Sequence, residues 1–188
     1  MIFIMIHYSS PFDLSGNIGK AYNYEMSRLP NDDDWMCFTD ADTCFLTSNY
    51  GRQLQIIVDM YPNTGMFTCL TNRVGQVRQC YERTISDNPD IRFHRKIALE
   101  LANTRPYEVE DLGIAISGHM MLIKKATWNA NKFSEEGILG VDNKISRKLL
   151  MKGYKILLMR GVYIFHYYRF NEDVKQKMHL KILNNGNH

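Results

Sequence analysis

The sequence lacks several features that would place a protein in a class at once. None of its four cysteines lies in a C-x-x-C pair, which argues against a zinc or redox motif of that type. No apolar run approaches the length of a membrane-spanning helix, and there is no internal repeat or low-complexity tract. The net charge is only +3, and no aromatic–basic motif of the known nucleic-acid-binding modules occurs. We therefore expect no nucleic-acid partner.

The remaining composition is that of an ordinary globular domain. The chain has 188 residues, of which 45% are apolar and 23% charged, so one domain with a sizeable core is expected. Cys37 and Cys69 fall in apolar stretches and resemble small core residues. The apolar segment from Met1 to Tyr8 is shorter than a signal peptide with its flanks. We expect a cytoplasmic protein with reduced thiols.

Apolar runs alternate with helical patterns in the first part of the chain, which predicts an α/β fold. Its first strand is so continuously apolar that burial on both faces is expected. The alternation predicts a mostly parallel, mixed central sheet flanked by helices. The predicted elements are a strand over 2–8, a helix opening at 17–23, a strand over 35–39, a helix after 48 and a strand over 66–70.

The second part of the chain begins with an arginine-bearing excursion over 71–113, in which most arginines are expected on a solvated face. One domain is predicted over 1–170, followed by a terminal helix and frayed tail over 171–188. The other predicted elements are a helix over 91–102, a strand over 119–123, a polar connection over 124–128, a helix from 141 and two strands over 155–159 and 162–168.

The strand over 35–39 runs into Asp40-Ala41-Asp42. In an extended chain, residues two apart point to the same side, so both carboxylates would face one direction. Such a pair suits Mg²⁺ or Mn²⁺ and can hold a phosphorylated substrate through the metal. The alternative is an acidic turn, where Asp is common for local hydrogen bonding. The run Asp32-Asp33-Asp34 precedes the strand and is expected to be a solvated turn.

Several segments in the same order resemble the inverting, GT-A-fold glycosyltransferases of the large family-two type. The helix opening at Asn17 and leading to Asp40-Ala41-Asp42 is similar to that family's N-x-G-x-x-x-N segment and D-x-D motif. The other similar segments are Ser117-Gly118 with the strand after it, Gly140-Val141-Asp142-Asn143, Gly153-Tyr154-Lys155, and the late strand ending in His166. The resemblance covers residues 2–169.

The resemblance implies transfer of a sugar from a UDP- or GDP-linked donor to an acceptor hydroxyl, with inversion. It implies Mn²⁺ or Mg²⁺ on Asp40, Asp42 and His166, and Asp142 as the general base. A glycan, a lipid or a protein could be the acceptor, and a lipid would place the protein at a membrane surface. The implied donor-side residues are Ser9, Ser10, Asn17, Lys20, Asn23 and Ala41, and the implied acceptor-side residues are Ser117 and Gly118.

Most of these residues also have a purely structural interpretation. Asn17 could simply cap its helix, Lys20 could face solvent, and Asp142 could be a helix cap. His166 could be a packed strand histidine with one hydrogen bond. The chain also departs from the family pattern: it has His7 in place of a proline, Val141 in place of a glutamate, and no second early strand to help hold the nucleotide base.

Two other functions remain open from the residues. The segment Phe38-Thr39-Asp40-Ala41-Asp42-Thr43 fits the first motif of haloacid-dehalogenase-type phosphatases, with Asp40 as nucleophile and Asp42 as acid/base. That motif normally follows the first strand of its fold, whereas here a strand and a helix precede it. Alternatively, a domain of this kind could bind a nucleotide, a glycan or a partner protein without catalysis.

Overall fold

A computed structural model of the chain describes residues 4–136 and 139–167, and the terminal helix and tail expected over 171–188 lie outside this part. Within it, no helix is both long and apolar enough to cross a bilayer. The strands are β1 (Ile6–Ser9), β2 (Trp35–Thr39), β3 (Thr43–Phe45), β4 (Met66–Thr71), β5 (Val109–Asp111), β6 (Met120–Lys124) and β7 (Ile156–His166). The α-helices are α1 (Ile18–Ser27), α2 (Tyr50–Met60), α3 (Ile91–Thr104), α4 (Lys125–Ala130) and α5 (Val141–Met151).

The expected α/β architecture is confirmed, with a seven-stranded mixed sheet in the described residues. The strand order is β1-β2-β6-β4-β7-β3, and β5 also pairs with β7. The pairs β1–β2 and β4–β7 are parallel, and the other four pairings are antiparallel. The expectation of a mostly parallel sheet is therefore wrong, because β6 inserts antiparallel between β2 and β4.

The helices cover both faces of this sheet, and the spacing of their apolar residues gives each helix one side that packs on the strands. On one face, Tyr22 and Met26 of α1 and Ile145 of α5 pack with buried side chains of β2, β4 and β6. On the other face, Leu54 and Ile57 of α2 pack on the alternate side chains of the same strands. Because adjacent strand residues point to opposite faces, one apolar strand serves both layers.

The two late strands predicted over 155–159 and 162–168 form a single strand, β7. It pairs with β4 from Met66↔Ile156 to Cys69↔Met159, and the register then shifts so that Leu70 faces Tyr163. The bulge places Gly161 against the main chain before β5, where a Cβ would overlap the carbonyl oxygen of Arg105. The turn-like sequence around Gly161 thus marks a bulge and not a strand end.

Three smaller expectations are also corrected. Strand β1 was expected to be buried on both faces, but it is only partly buried, because it lies at the edge of the described sheet. The polar connection after β6 is the helix α4, with Trp128 buried. Asp34 is fully buried and accepts hydrogen bonds from the main-chain N–H groups of Met5 and Asn31 at 3.1 and 3.2 Å, so only the first part of the acidic run is solvated.

The bulge predicts that Gly161→Ala will lower the free energy of unfolding by about 1–3 kcal/mol, because the added methyl group must displace main chain. Urea denaturation measures this change. Gly51→Ala on α2 is the matched control, since its Cβ would meet only the Tyr8 hydroxyl at 3.5 Å. The control should be neutral or stabilise by up to about 1 kcal/mol. Equal stability of the two variants would contradict the bulge geometry.

Candidate functional site

Asp40, Asp42 and His166 meet at one end of the sheet. The two aspartates occupy the turn from β2 to β3, and His166 is the last residue of β7. Pairing of Thr43 with His166 brings the turn and the strand end together. The histidine Nε2 lies 3.3 Å from Asp42 Oδ1 and 3.7 Å from Asp40 Oδ2. One ligand atom from each of the three residues lies within 4.8 Å of the others.

The hydrogen bonding of His166 fixes which ring nitrogen faces the carboxylates. Its Nδ1 lies 3.0 Å from the carbonyl oxygen of Arg73. Because a carbonyl only accepts, Nδ1 must carry a proton and donate it. When the imidazole is neutral, Nε2 therefore presents its lone pair toward Asp40 and Asp42. This is how metal-binding histidines are commonly held, and the oxygen–oxygen–nitrogen donor set fits a divalent cation.

The two aspartates differ in electrostatics. Burial raises the pKa of Asp40 to about 6, the His166 interaction opposes this, and the charges of Asp42 and Asp142 add to it. The pKa of Asp42 is lowered, chiefly by its hydrogen bond with His166. Carboxylates that repel one another in a partly buried place gain most from a nearby cation.

Asp142 lies in the first turn of α5, beside this cluster. Its Oδ1 accepts a hydrogen bond from the Asn143 N–H at 2.8 Å. Burial raises its pKa, and the N–H groups of Asn143 and Gly118 partly offset the rise. Gly118 allows the close approach, since a Cβ there would lie 3.0 Å from the Asp142 Cβ. The charge of Asp142 acts on Asp40, so the structure brings these two residues together.

Ser117 holds the turn that precedes Gly118. Its N–H donates to Gln79 Oε1 at 2.8 Å, and its carbonyl accepts from Gln79 Nε2 at 3.0 Å. Its hydroxyl accepts from the Gln76 N–H at 3.0 Å. The buried amide of Gln79 thus pairs with the main chain of Ser117 and places Gly118 against Asp142.

The residues expected on the donor side fall into two groups. Ser10 and Ala41 directly follow the carboxyl ends of β1 and β2, where ligands bind in α/β sheets, and Lys20 lies in the first turn of α1. Ser10 Oγ is 3.1 Å from Thr39 Oγ1, Ala41 is exposed between the two aspartates, and Lys20 is exposed on α1. Ser9 is the last residue of β1 and pairs with Phe38.

The second group consists of Asn17 and Asn23, whose side chains bind other parts of the protein. Asn17 caps α1 by accepting from the Lys20 N–H at 3.0 Å, and its Nδ2 donates to the carbonyl of Glu135 at 2.9 Å. Asn23 Nδ2 donates to Phe133 O and to Glu135 Oε1. Its Oδ1 accepts from Trp128 Nε1 and the Phe133 N–H.

These four bonds use the full hydrogen-bonding capacity of the Asn23 amide. Asn23 therefore joins α1 to the loop before α5.

Sequence reasoning missed two residues of the site. His119 is buried, and its ring stacks on His166 with 6.0 Å between centroids. Its carbonyl accepts from the Asp40 N–H at 3.1 Å, and burial lowers its pKa to about 3, so it stays neutral. Tyr22 is buried, and its pKa is raised by burial and by the charges of Asp40 and Asp142. No local pattern marks either residue, although His119 directly follows Gly118.

Comparison with known proteins adds no relative: neither a protein-family model nor a curated protein sequence matches the chain.

The contacts of Asn23 predict that Asn23→Ala will destabilise the protein by about 1–3 kcal/mol, because the buried indole N–H of Trp128 loses its acceptor. Urea denaturation monitored by tryptophan fluorescence measures this. Asn129→Ala, which removes an exposed amide bonded to Asp32, is the control and should change stability by less than about 0.5 kcal/mol. A stability loss no larger than that of the control would show that Asn23 does not join these segments.

Proposed function

We propose that this chain is a metal-dependent glycosyltransferase with a GT-A-like fold. It moves a sugar from a nucleotide-diphospho-sugar to an acceptor hydroxyl, with inversion at the anomeric carbon. The observation that carries the proposal is the convergence of Asp40, Asp42 and the Nε2 of His166 within 4.8 Å, with Asp142 beside them. The family-two resemblance of the segments that supply these residues supports the same reaction.

Asp40, Asp42 and His166 would hold the divalent cation. The Nδ1–H of His166 is engaged by Arg73 O, so the Nε2 that faces Asp40 and Asp42 would be the ligand atom. Two oxygens and one imidazole nitrogen favour Mn²⁺ over Mg²⁺, which prefers oxygen alone. When bound, the metal supplies Lewis-acid neutralisation of the charge that develops on the diphosphate leaving group.

The donor nucleotide would lie across the carboxyl ends of β1 and β2. Ser10 and Ala41 border that region, and exposed Lys20 can approach a phosphate. Ser9 ends β1 beside them. Asn17 and Asn23 contribute indirectly, since Asn23 has no hydrogen-bonding capacity left and Asn17 caps α1. Their hydrogen bonds to the 133–135 segment would keep α1, on the donor side, in a fixed position relative to the loop before α5, on the acceptor side.

Asp142 is the proposed general base. It accepts the proton of the acceptor hydroxyl while that oxygen bonds to the anomeric carbon and the bond to the diphosphate breaks. Attack opposite the leaving group inverts the anomeric carbon. Partial burial raises the carboxyl pKa and makes Asp142 a stronger base. The N–H groups of Asn143 and Gly118 keep the carboxylate fixed, and Gly118 leaves room beside it.

Calorimetric titration with UDP and GDP, with and without Mn²⁺, tests the donor site. We expect one nucleotide to bind at least about tenfold more tightly with Mn²⁺, and Asp42→Asn to abolish that dependence because a metal ligand is lost. Asp59→Asn removes an exposed carboxylate of α2 that accepts a hydrogen bond from Gln55, and it should bind as wild type does.

Absence of nucleotide binding in the presence of Mn²⁺ would contradict the transferase proposal. Metal-dependent hydrolysis of phosphate monoesters would then favour the phosphatase that the Asp40 and Asp42 motif also fits.

Asp142→Asn tests the base. The variant should release nucleoside diphosphate from the bound sugar nucleotide about 10²–10⁴-fold more slowly, because no group accepts the acceptor proton. Nucleotide affinity should be unchanged. Asp33→Asn, an exposed carboxylate paired with Lys124, is the control and should retain the wild-type rate. An unchanged rate in Asp142→Asn would remove Asp142 from the chemistry, and nucleotide binding without turnover in wild type would indicate a non-catalytic binding module.

A further inference from the structure

We propose that Asn72 is the residue that positions His166 toward Asp40 and Asp42. The proposal rests on the proposed function, because it concerns the histidine assigned to the metal. Asn72 directly follows β4 and is 1% exposed. Within the described residues, no hydrogen bond joins the Asn72 side chain to the carboxylate cluster. Its role would be exerted entirely through His166.

The side chain of Asn72 extends the pairing between β4 and β7. The last pair of main-chain partners between these two strands is Thr71 and Ile164. His166 lies two residues beyond, and both of its main-chain polar groups meet the Asn72 amide. Its N–H donates to Asn72 Oδ1 at 2.7 Å, and its carbonyl accepts from Nδ2 at 3.0 Å. A primary amide offers the donor and acceptor of a peptide group, so it can replace a missing strand residue.

The amide of Asn72 is itself held in one orientation. The Thr71 hydroxyl donates to Asn72 Oδ1 at 3.2 Å, and Thr71 is fully buried. The oxygen thus receives two donors, while the nitrogen faces the His166 carbonyl. Exchanging the two atoms would set donor against donor and acceptor against acceptor in a buried place, at a cost of about 1–3 kcal/mol for each unmet group.

The next residue, Arg73, fixes the ring of the same histidine. Its carbonyl accepts the Nδ1 proton at 3.0 Å. The dipeptide Asn72-Arg73 therefore makes three hydrogen bonds to His166, two to its main chain and one to its ring. Together they set where the strand ends, how the ring is turned and which nitrogen faces outward. Such outer partners typically change metal affinity by about 10–100-fold when lost.

The carboxylate side of the cluster is held by other contacts. The Tyr167 N–H donates to the Asp42 carbonyl at 2.8 Å, and the Asp40 N–H donates to the His119 carbonyl at 3.1 Å. Neither bond involves Asn72. Loss of the Asn72 amide should therefore act first on the nitrogen ligand, and the bond between Asp40 and His119, which involves neither Asn72 nor β7, should remain.

Mn²⁺ titration by electron paramagnetic resonance tests the proposal with Asn72→Ala and Asn131→Ala. Asn131 is the matched control, because it is also fully buried and its Nδ2 donates to the Thr127 carbonyl at 2.9 Å, without contact to His166. Both variants should lose stability in urea. Only Asn72→Ala should weaken Mn²⁺ binding, by about 10–100-fold. If Asn72→Ala does not fold, Asn72→Asp keeps the acceptor for the His166 N–H and replaces the donor to the His166 carbonyl with a carboxylate oxygen.

A metal-free measurement separates this role from the proposed function. In the NMR spectrum of ¹⁵N-labelled wild type, the Nδ1 proton of His166 should give a signal, because its hydrogen bond to the Arg73 carbonyl slows exchange with water. It should disappear in Asn72→Ala and persist in Asn131→Ala. Wild-type Mn²⁺ affinity in folded Asn72→Ala would overturn the positioning role and leave the transferase proposal standing. If wild type binds no Mn²⁺, the transferase proposal fails, and the proton signal alone decides whether Asn72 positions the histidine.

Discussion

Three carboxylates lie close together at one end of the sheet, and the burial of their charge is the constraint around which this site is arranged. Asp40, Asp42 and Asp142 come from two separate segments, and the pKa of Asp40 rises to about 6 under burial and the charges of the other two. A site of this charge is stable only beside a positive partner or with protons bound. A neutral His166 turns the lone pair of Nε2 toward Asp40 and Asp42, so a divalent cation held by these three side chains would be the positive partner.

The rest of the fold can be understood as the means of holding these charges in place. Strand β7 brings His166 to the turn that carries Asp42, and the bond from Tyr167 to the Asp42 carbonyl joins the two ligands through the main chain. Asp142 lies at the start of α5, where the helix dipole favours a negative charge. Two buried amides, Asn72 and Gln79, complete the arrangement by replacing main-chain pairing where strands end.

Among the described strands, β1 lies at the edge of the sheet, and this position bears on the proposed reaction. Strand β1 is the last in the sheet order and is only partly buried, whereas the family that the sequence resembles has a further early strand. Under the proposed function, Ser10 and Lys20 would border the donor. Asn17 and Asn23 instead stabilise the joint between α1 and the loop before α5.

Several elements and their local chemistry could be predicted from neighbouring residues alone. Periodicity marked β2, α1 and α5, Asn17 marked a helix start, and Gly153 marked a helix end in the left-handed conformation, because each depends on neighbouring residues only. The D-x-D spacing predicted two carboxylates on one side of an extended strand, whereas Asp40 and Asp42 lie in the turn after β2, and the pairing of Thr43 with His166 brings them to the histidine. The strand directions, the continuity of β7, the burial of Asp34 and the contacts of Asn72 and His119 could be seen only in the folded chain. These depend on which distant segments pair, and apolar periodicity carries no information about pairing partners or direction.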